Sequence, residues 1–417
     1  MGVMHGVSIS VRSTTLAVRV MVASPDVSNA GRQISMIAQD FRPRLARLAA
    51  SVAALAAVAL AMATPADSQG RSDRVVNVYN WSDYVEPTVI EAFTKETGIK
   101  VKYDTFDANE TLETKLLAGK SGYDVVVPTG YFLERQIKAG VFQKLDKSKL
   151  SNIGNVWPDI AKRLATYDPG NQFAVNYMWG TVGIGYNVKK AREMLGISGS
   201  VSDAMASWDI VFKPEQLAKF KACGVHMLDS ADDVMPAALH YLGLDPNTKQ
   251  EADLSKAADL VMKIRPNVAK FHSSEYLNGL ASGEICLVLG WSGDVKQAQK
   301  RAAEAKGGVE VGYAIPKGGA QMFFDNFAIP KDAPHVAEAH AFIDYMLRAD
   351  VAAKNSNFLG YANGNLASQK LMDKSVLDDK TVYPDEATLS SLYVVTARDQ
   401  RTTRLTNRLW TKIKTGQ

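Results

Sequence analysis

Two aromatic rings, a hydroxyl and a carboxylate stand close together in residues 81–84, the second part of the segment 79–84, YNWSDY. The rings offer π faces and apolar walls, and the carboxylate offers a counter-charge, so the segment suits an organic cation rather than an anion. It follows a predicted strand at residues 75–79 and precedes a helix that begins at Pro87. We therefore expect these side chains at the carboxyl end of a strand, where open α/β sheets bind ligands.

The pairing of an aromatic ring with a carboxylate recurs twice along the chain. Trp291 and Asp294 follow a predicted strand at residues 285–289, and Phe323 and Asp325 precede another. Three such pairs at strand ends predict a single site rather than three unrelated features. The alternative is that the rings are ordinary core aromatics and the carboxylates are helix caps or surface groups.

A linear diamine would match this combination of residues. Its alkyl centre gains from burial between rings, while each ammonium end needs carboxylate, hydroxyl or carbonyl acceptors. The candidate carboxylates are Asp83, Asp233, Asp294 and Asp325. The candidate walls are Trp81, Tyr84, Tyr131, Trp291, Phe323 and Tyr361.

The elements that must position these residues alternate between strand and helix. Predicted strands at residues 75–79, 99–103 and 124–128 are separated by two helical patterns, the second of which is expected to be capped by Asn109. This order predicts an α/β fold with a mainly parallel sheet. The glycine-rich stretch at residues 177–186 predicts a strand that crosses into a second lobe, as the length of 417 residues also favours.

Several function classes are disfavoured. The 48 basic and 44 acidic residues nearly balance, which gives no reason to expect nucleic acid as a partner. Residues 290–294, GWSGD, lack the glycine that a nucleophile elbow needs two places after the serine. No metal or cofactor motif is present, so we expect neither, and no catalytic residues. The competing class is an exported hydrolase that uses Asp83 and Asp294 as acid and base.

The amino-terminal segment has the pattern of a targeting signal. Arg42, Arg44 and Arg47 precede an apolar run at residues 48–60, and the small-residue site at residues 61–63 follows. These features predict a leader and cleavable signal peptide over residues 1–63, and export to the periplasm. A membrane anchor is the alternative, although the run is shorter than a span needs.

The chain has two cysteines, Cys223 and Cys286, and both belong to the exported part. In an oxidising compartment, an even pair is most simply one disulfide. Two unpaired, buried thiols remain the alternative.

Beyond the leader, the chain resembles the periplasmic polyamine-binding proteins of ABC transporters along nearly its whole length, and their putrescine-binding branch most of all. The matching stretches are residues 79–84 (YNWSDY), 96–101 (ETGIKV), 125–128 (VVVP), 132–136 (FLERQ), 183–187 (GIGYN), 223–225 (CGV), 271–274 (FHSS) and 290–294 (GWSGD).

The resemblance implies a two-lobed type II periplasmic-binding fold, α/β, in which each lobe is a mainly parallel sheet flanked by helices. Lobe I would comprise residues 74–177 plus 306–362 and lobe II residues 181–303 plus 366–417, with the ligand cleft between them and closure by a hinge motion. It also implies a protein that captures putrescine and delivers it to a membrane permease, and we expect a monomer because that suits a shuttle. A spermidine-preferring protein is one alternative, and a protein that senses polyamine and reports it to a membrane partner is another.

The resemblance further implies which residues contact the ligand. The family's ligand-binding aromatics fall on Trp81, Tyr84, Trp291, Phe323 and Tyr361, and its polar contacts on Ser82, Asp83, Thr129, Asp233, Asp294 and Asp325. The paired cysteines match as well, which supports the disulfide.

Three positions depart from the putrescine-binding pattern. Thr129 and Tyr131 stand where serines are typical, and Asp233 stands where glutamate is found. Tyr131 resembles the spermidine-preferring relatives, whereas Asp83 and Asp294 match the putrescine binders. The resemblance therefore implies a polyamine ligand but leaves its length open.

Overall fold

The computed structural model describes residues 74–417. The leader and signal peptide predicted for residues 1–63, and the alternative membrane anchor, lie outside the described residues. Within residues 74–417, no helix combines the length and apolar character needed to cross a bilayer.

The described residues form ten strands joined mostly by helices. The strands are β1 (Val75–Trp81), β2 (Lys100–Phe106), β3 (Val125–Val126), β4 (Ala174–Asn187), β5 (Val225–Met227), β6 (Lys270–Phe271), β7 (Leu287–Trp291), β8 (Val311–Ala314), β9 (Met322–Ala328) and β10 (Ala362–Asn363).

The α-helices up to β6 are α1 (Pro87–Thr97), α2 (Asn109–Ala118), α3 (Gly130–Lys138), α4 (Pro158–Leu164), α5 (Val188–Leu195), α6 (Ser202–Met205), α7 (Asp209–Phe212), α8 (Pro214–Leu217), α9 (Ala231–Tyr241) and α10 (Glu251–Ile264). Those after β6 are α11 (Glu275–Ser282), α12 (Ser292–Ala305), α13 (Val336–Met346), α14 (Ala349–Leu359), α15 (Lys374–Leu377), α16 (Glu386–Ser391) and α17 (Gln400–Thr415). Short 3-10 helices cover Lys147–Lys149, Ile153–Asn155, Ala218–Cys223, Arg265–Asn267 and Leu366–Leu371.

The strands form one mixed sheet in the order β2-β1-β3-β9-β4-β7-β5-β6, with β8 and β10 also paired to β4. Pairs toward both edges of the sheet are parallel, as the alternation of strands and helices predicts. The central pairs made by β4 and β9 are antiparallel. The sequence pattern did not reveal this, because β9 is far from its partners β3 and β4 along the chain.

Strand β4 joins the two halves of the sheet. Residues 174–181 pair with β9, and residues 182–186 pair with β7. All fourteen residues of β4 are buried. Gly183 is needed where the strand changes partner, because a Cβ there would lie 2.5 Å from the hydroxyl oxygen of Tyr313. The glycine-rich stretch thus allows close packing on β4, and the strand predicted there is confirmed.

Local signals place the YNWSDY segment at the end of β1. The strand extends through Trp81, and the Ser82 N–H then donates to the Phe106 carbonyl at the end of β2. Helix α1 begins at Pro87 as predicted, with the Glu86 carboxylate accepting from the Val89 N–H. A short turn between these two fixed points therefore carries the polar and aromatic side chains.

Cys223 and Cys286 form a disulfide, with their Cα atoms 5.6 Å apart. The predicted pairing is confirmed, and the alternative of two free thiols is wrong. The bond ties the segment before β5 to the segment before β7, and these two strands are parallel neighbours in the sheet.

We predict that the Cys223→Ala, Cys286→Ala double variant is less stable than the wild type by about 4 kcal/mol, because the bond closes a long loop in the unfolded chain. The residues are 63 apart in sequence. Urea unfolding of both proteins under non-reducing conditions measures the difference. An equal free energy of unfolding, or unchanged stability of the wild type in reductant, would contradict a stabilising role.

Candidate ligand-binding site

The twelve site residues predicted from the sequence all line one cavity. Six further residues complete the lining: Phe106, Asp107, Asn109, Ser273, Ser274 and Leu277. None of the described lining residues is basic. The cavity is narrow, with about 40 Å³ open to the centres of water-sized molecules.

Aromatic rings form the walls of the cavity. The rings of Trp81 and Trp291 meet edge to face, with centroids 5.7 Å apart, and those of Tyr84 and Tyr361 do so at 5.0 Å. The Trp81 indole N–H donates to the Val127 carbonyl at 2.9 Å, which fixes the ring at the ends of β1 and β3. Phe323 packs against Tyr361 at 6.3 Å. These contacts hold the walls in defined positions.

The sequence predicted Phe323 and Asp325 before a strand, but both lie within β9. Asp325 is buried and accepts two hydroxyl hydrogen bonds. Tyr84 donates to its Oδ2 at 2.7 Å and Thr129 donates to its Oδ1 at 2.6 Å. Burial raises the pKa of Asp325 to about 6, although both hydrogen bonds oppose that shift. Burial, together with Asp325, also raises the pKa of Tyr84 well above its usual range, so this phenol stays protonated and donates.

Asn109 has a role that its sequence context did not indicate. It was expected to cap α2, but it is the first residue of that helix. The N-cap position is occupied by Ala108, and no side chain makes a capping hydrogen bond there. Its amide instead donates to the Thr129 hydroxyl oxygen at 3.0 Å and accepts from the Thr129 N–H at 3.1 Å. Asn109 therefore orients the hydroxyl that Thr129 donates to Asp325.

Asp294, in the first turn of α12, is held in the same way. Tyr276 donates to its Oδ2 at 2.8 Å and Tyr361 donates to its Oδ1 at 2.7 Å. Burial raises the pKa of Asp294 to about 6, and the nearby Asp83 adds to the shift. A carboxylate in this position is ready to be neutralised by a cation.

Asp233, in the first turn of α9, is the third buried carboxylate. The indole N–H of Trp291 donates to its Oδ2 at 3.3 Å, and the amide of Gln321 donates to its Oδ1 at 2.9 Å. Burial raises its pKa to about 7, the highest of the three. Gln321 does not line the cavity, and nothing in its sequence context pointed to it.

Asp83 differs from the other three carboxylates. Its side chain is 53% exposed and forms an ion pair with Arg301 at 2.9 Å. Arg301 also donates to the amide oxygen of Asn278 at 2.7 Å. Asp83 has a φ of 53°, a turn conformation that Asp tolerates. The neighbouring Ser82 hydroxyl donates to the Phe106 carbonyl at 3.3 Å. Asp83 and Ser82 thus lie at the rim with partners of their own.

The arrangement is suited to binding an organic cation and not to covalent chemistry. Each buried carboxylate accepts two N–H or O–H donors, and a carboxylate has about four lone-pair sites, so acceptor capacity remains for an ammonium group. The rings between the carboxylates offer apolar and cation–π contacts.

A cavity lined by rings and carboxylates in an α/β protein suits the binding of a small solute. The chain belongs to the bacterial extracellular solute-binding protein family, whose profile matches residues 88–383. This is a family of solute-binding proteins and not of enzymes, which confirms the prediction that the chain is not an enzyme.

Individual relatives are similar over most of the chain. The putrescine-binding periplasmic protein SpuD of Pseudomonas aeruginosa is 49% identical over 87% of this chain and 98% of its own. The putrescine-binding periplasmic protein PotF of Escherichia coli is 48% identical over 85% and 95%, respectively. A solved spermidine/putrescine ABC transporter structure from Listeria monocytogenes has a TM-score of 0.73 and 32% identity, covering 82% of this chain and all of that one. The fold is that of the two-lobed periplasmic binding proteins.

We predict that Gly293→Ala disturbs the site by pushing on Tyr361. A Cβ at Gly293 would lie 2.0 Å from the Tyr361 ring, so the ring would have to move and its hydroxyl would leave Asp294. Such overpacking costs about 1–3 kcal/mol in free energy of unfolding, measured in urea. Gly307→Ala is the control, since its Cβ would meet no atom within 4 Å. Equal stability of the two variants would contradict the prediction.

We predict that Asp233 destabilises the ligand-free protein at alkaline pH. Its pKa is raised from 3.8 to about 7, so the folded state binds the proton more tightly. Its stabilising contribution is complete below about pH 4 and is lost as pH rises through about 7. Asp233→Asn should therefore unfold at higher urea concentration than wild type at pH 8, with less gain at pH 5. Asp203→Asn, at a 91% exposed side chain, serves as control. An equal effect at both pH values would contradict this.

Proposed function

We propose that the protein captures a small polyamine, with putrescine as its ligand, and delivers it to the membrane permease of an ABC importer. The observation that carries the proposal is a ring-walled cavity with three buried carboxylates and no basic lining residue. Buried carboxylates without a cation are costly, so the cavity favours a ligand that brings positive charge.

The arrangement of donors supports an elongated ligand. Asp233 accepts from the Trp291 indole, whereas Asp294 and Asp325 accept from the Tyr361 and Tyr84 phenols, whose rings are in contact with each other. We infer that one ammonium group of a diamine lies near Asp233 and the other near Asp294 and Asp325. The alkyl chain would then lie against the edge-to-face pair of Trp81 and Trp291 and gain about 0.8 kcal/mol per buried methylene.

Spermidine is the second candidate ligand, and Tyr131 favours it. The ring of Tyr131 is buried in the cavity wall at the start of α3, where the putrescine-binding branch has a small residue. The count of three buried carboxylates also matches three ammonium charges. The narrow cavity favours the shorter amine.

The similar proteins support the proposed cellular location and the proposed transport partner. Two are periplasmic putrescine-binding proteins and another is a spermidine/putrescine ABC transporter protein. We infer that this chain reaches the periplasm through the signal peptide expected in residues 1–63. There it would act as a monomer that hands its ligand to a permease, without nucleic acid as a partner.

We further propose that two lobes close over the ligand. The sequence-based division assigns residues 74–177 plus 306–362 to lobe I and residues 181–303 plus 366–417 to lobe II. Strand β8 pairs with the second half of β4, and the 3-10 helix Leu366–Leu371 packs against α14. These contacts favour moving the boundary predicted at residues 303–306 to a point after β8. They also favour moving the boundary predicted at residues 362–366 to a point after that 3-10 helix.

Isothermal titration with putrescine and spermidine tests the function. We expect Asp325→Asn and Asp294→Asn each to weaken putrescine binding by about 10-fold to 100-fold, because each removes a charge-assisted contact while keeping the shape of the side chain. Asp203→Asn, whose exposed carboxylate pairs with Lys317 outside the cavity, should bind as wild type does. Wild-type protein that binds neither amine, or substitutions without effect, would refute the assignment.

A further inference from the structure

Gln321 lies behind the cavity, yet its side chain reaches a cavity carboxylate. It stands one residue before β9 and is 1% exposed. Its Nε2 donates to Asp233 Oδ1 at 2.9 Å, while its Oε1 is buried and has no partner among the described residues. Its main-chain carbonyl accepts from the Val182 N–H, where β4 changes partner. The main chain of Gln321 is thus held in place, and the side-chain oxygen Oε1 can still accept a hydrogen bond.

The charges in the cavity do not balance in the same way for every polyamine. The three buried carboxylates, Asp233, Asp294 and Asp325, carry three negative charges when all are ionised. A diamine brings two positive charges and a triamine brings three. Because an uncompensated buried charge is costly, a diamine leaves one carboxylate that is better protonated, whereas a triamine favours ionisation of all three.

The hydrogen-bond partners indicate which carboxylate can change its protonation state most easily. Asp294 and Asp325 accept from hydroxyls, and a hydroxyl could receive a carboxyl proton only by turning its own hydrogen away. The Trp291 indole on Asp233 can only donate. The amide of Gln321, in contrast, has a donor end and an acceptor end. A half rotation about the Cγ–Cδ bond of Gln321 would bring Oε1 to the position that Nε2 now occupies beside Asp233.

The surroundings of Asp233 agree with a proton held there. Burial, with smaller contributions from Glu110 and Asp325, raises its pKa to about 7, above those of Asp294 and Asp325. Hydrogen bonds from Ser230 and Trp291 oppose this rise. The other titratable or charged groups around it are Tyr131 on α3, Tyr393 before α17, and the ion pair of Asp232 with Arg398. His240, on the same helix as Asp233, packs against the Tyr393 ring at 4.8 Å between centroids.

We propose that Gln321 allows Asp233 to be either ionised or protonated, so that the same cavity balances the charge of a diamine or a triamine. With a triamine, the amide donates to the carboxylate. With a diamine, the rotated amide accepts from the carboxylic acid. The proposal rests on the proposed function, since it assumes that polyamines occupy the cavity.

Calorimetry of the wild-type protein gives the first test and needs no variant. Binding of putrescine and of spermidine is measured near pH 7 in buffers of different ionisation enthalpy, which yields the protons taken up or released. We expect the two amines to differ by about one proton, with the diamine complex holding the extra one. Equal proton numbers would overturn the proposal. Failure to bind either amine would overturn the proposed function and this inference with it.

The variant Gln321→Met gives the second test. It removes both ends of the amide but keeps an unbranched side chain of similar length. We expect spermidine affinity to fall about 10-fold or more, because the ionised Asp233 loses its charge-assisted donor. Putrescine affinity should change less than about threefold. In this variant Asp233 lacks the amide donor, so it is protonated both before and after putrescine binds. The proton difference between the amines should disappear.

Gln136→Met is the matched control for Gln321→Met. Gln136 is a fully buried glutamine on α3 that does not line the cavity, and neither of its side-chain polar atoms has a partner among the described residues. We expect it to leave both affinities and the proton difference as in wild type. Equal weakening of both amines by Gln321→Met, or a proton difference that survives it, would show that Gln321 does not adapt to the protonation of Asp233.

Discussion

The burial of three carboxylates around one narrow cavity is the constraint on which the rest of the site depends. A buried carboxylate is tolerated only when donors meet its oxygens, and each of these three accepts two N–H or O–H groups. These donors reduce the cost of burial but supply no positive charge. The raised pKa values of all three carboxylates show that compensation is incomplete. The cavity is therefore built to be completed by a cation.

This constraint also explains why so many elements converge on the cavity. The three carboxylates come from α9, α12 and β9, while their donors come from the end of β1, the start of α3, helix α11, the end of β7 and the segments before β9 and β10. Tyr84 and Asp325 are 241 residues apart in sequence. Strand β4 makes such contacts feasible, because its two halves pair with different strands and bring both groups of elements to one place. The central strand is thus as necessary to the site as the residues that line it.

Much of the site could be predicted from the sequence, because its residues stand next to strand ends. Trp81, Trp291 and Thr129 follow short apolar strands, and the position of a strand end can be read locally. The partners that tune the carboxylates could not be predicted in this way. Arg301 pairs with Asp83 from 218 residues away, and Gln321 reaches Asp233 from 88 residues away. Neither has a local pattern that distinguishes it. The antiparallel pairing of β9 escaped prediction for the same reason, since strand direction depends on distant segments.

The spacing of the carboxylates also bears on which cations the cavity can hold. A compact metal ion needs several oxygen ligands that converge within about 2.0–2.6 Å of one point. Within residues 74–417, no group of three or more acidic, histidine or cysteine side chains is placed to do this. Here, the three buried carboxylates accept from different rings: the Trp291 indole donates to Asp233, and the Tyr84 and Tyr361 phenols donate to Asp325 and Asp294. A ligand that contacts these carboxylates also meets the rings that line the cavity with them. The aromatic lining therefore favours a cation with an apolar centre over a compact ion.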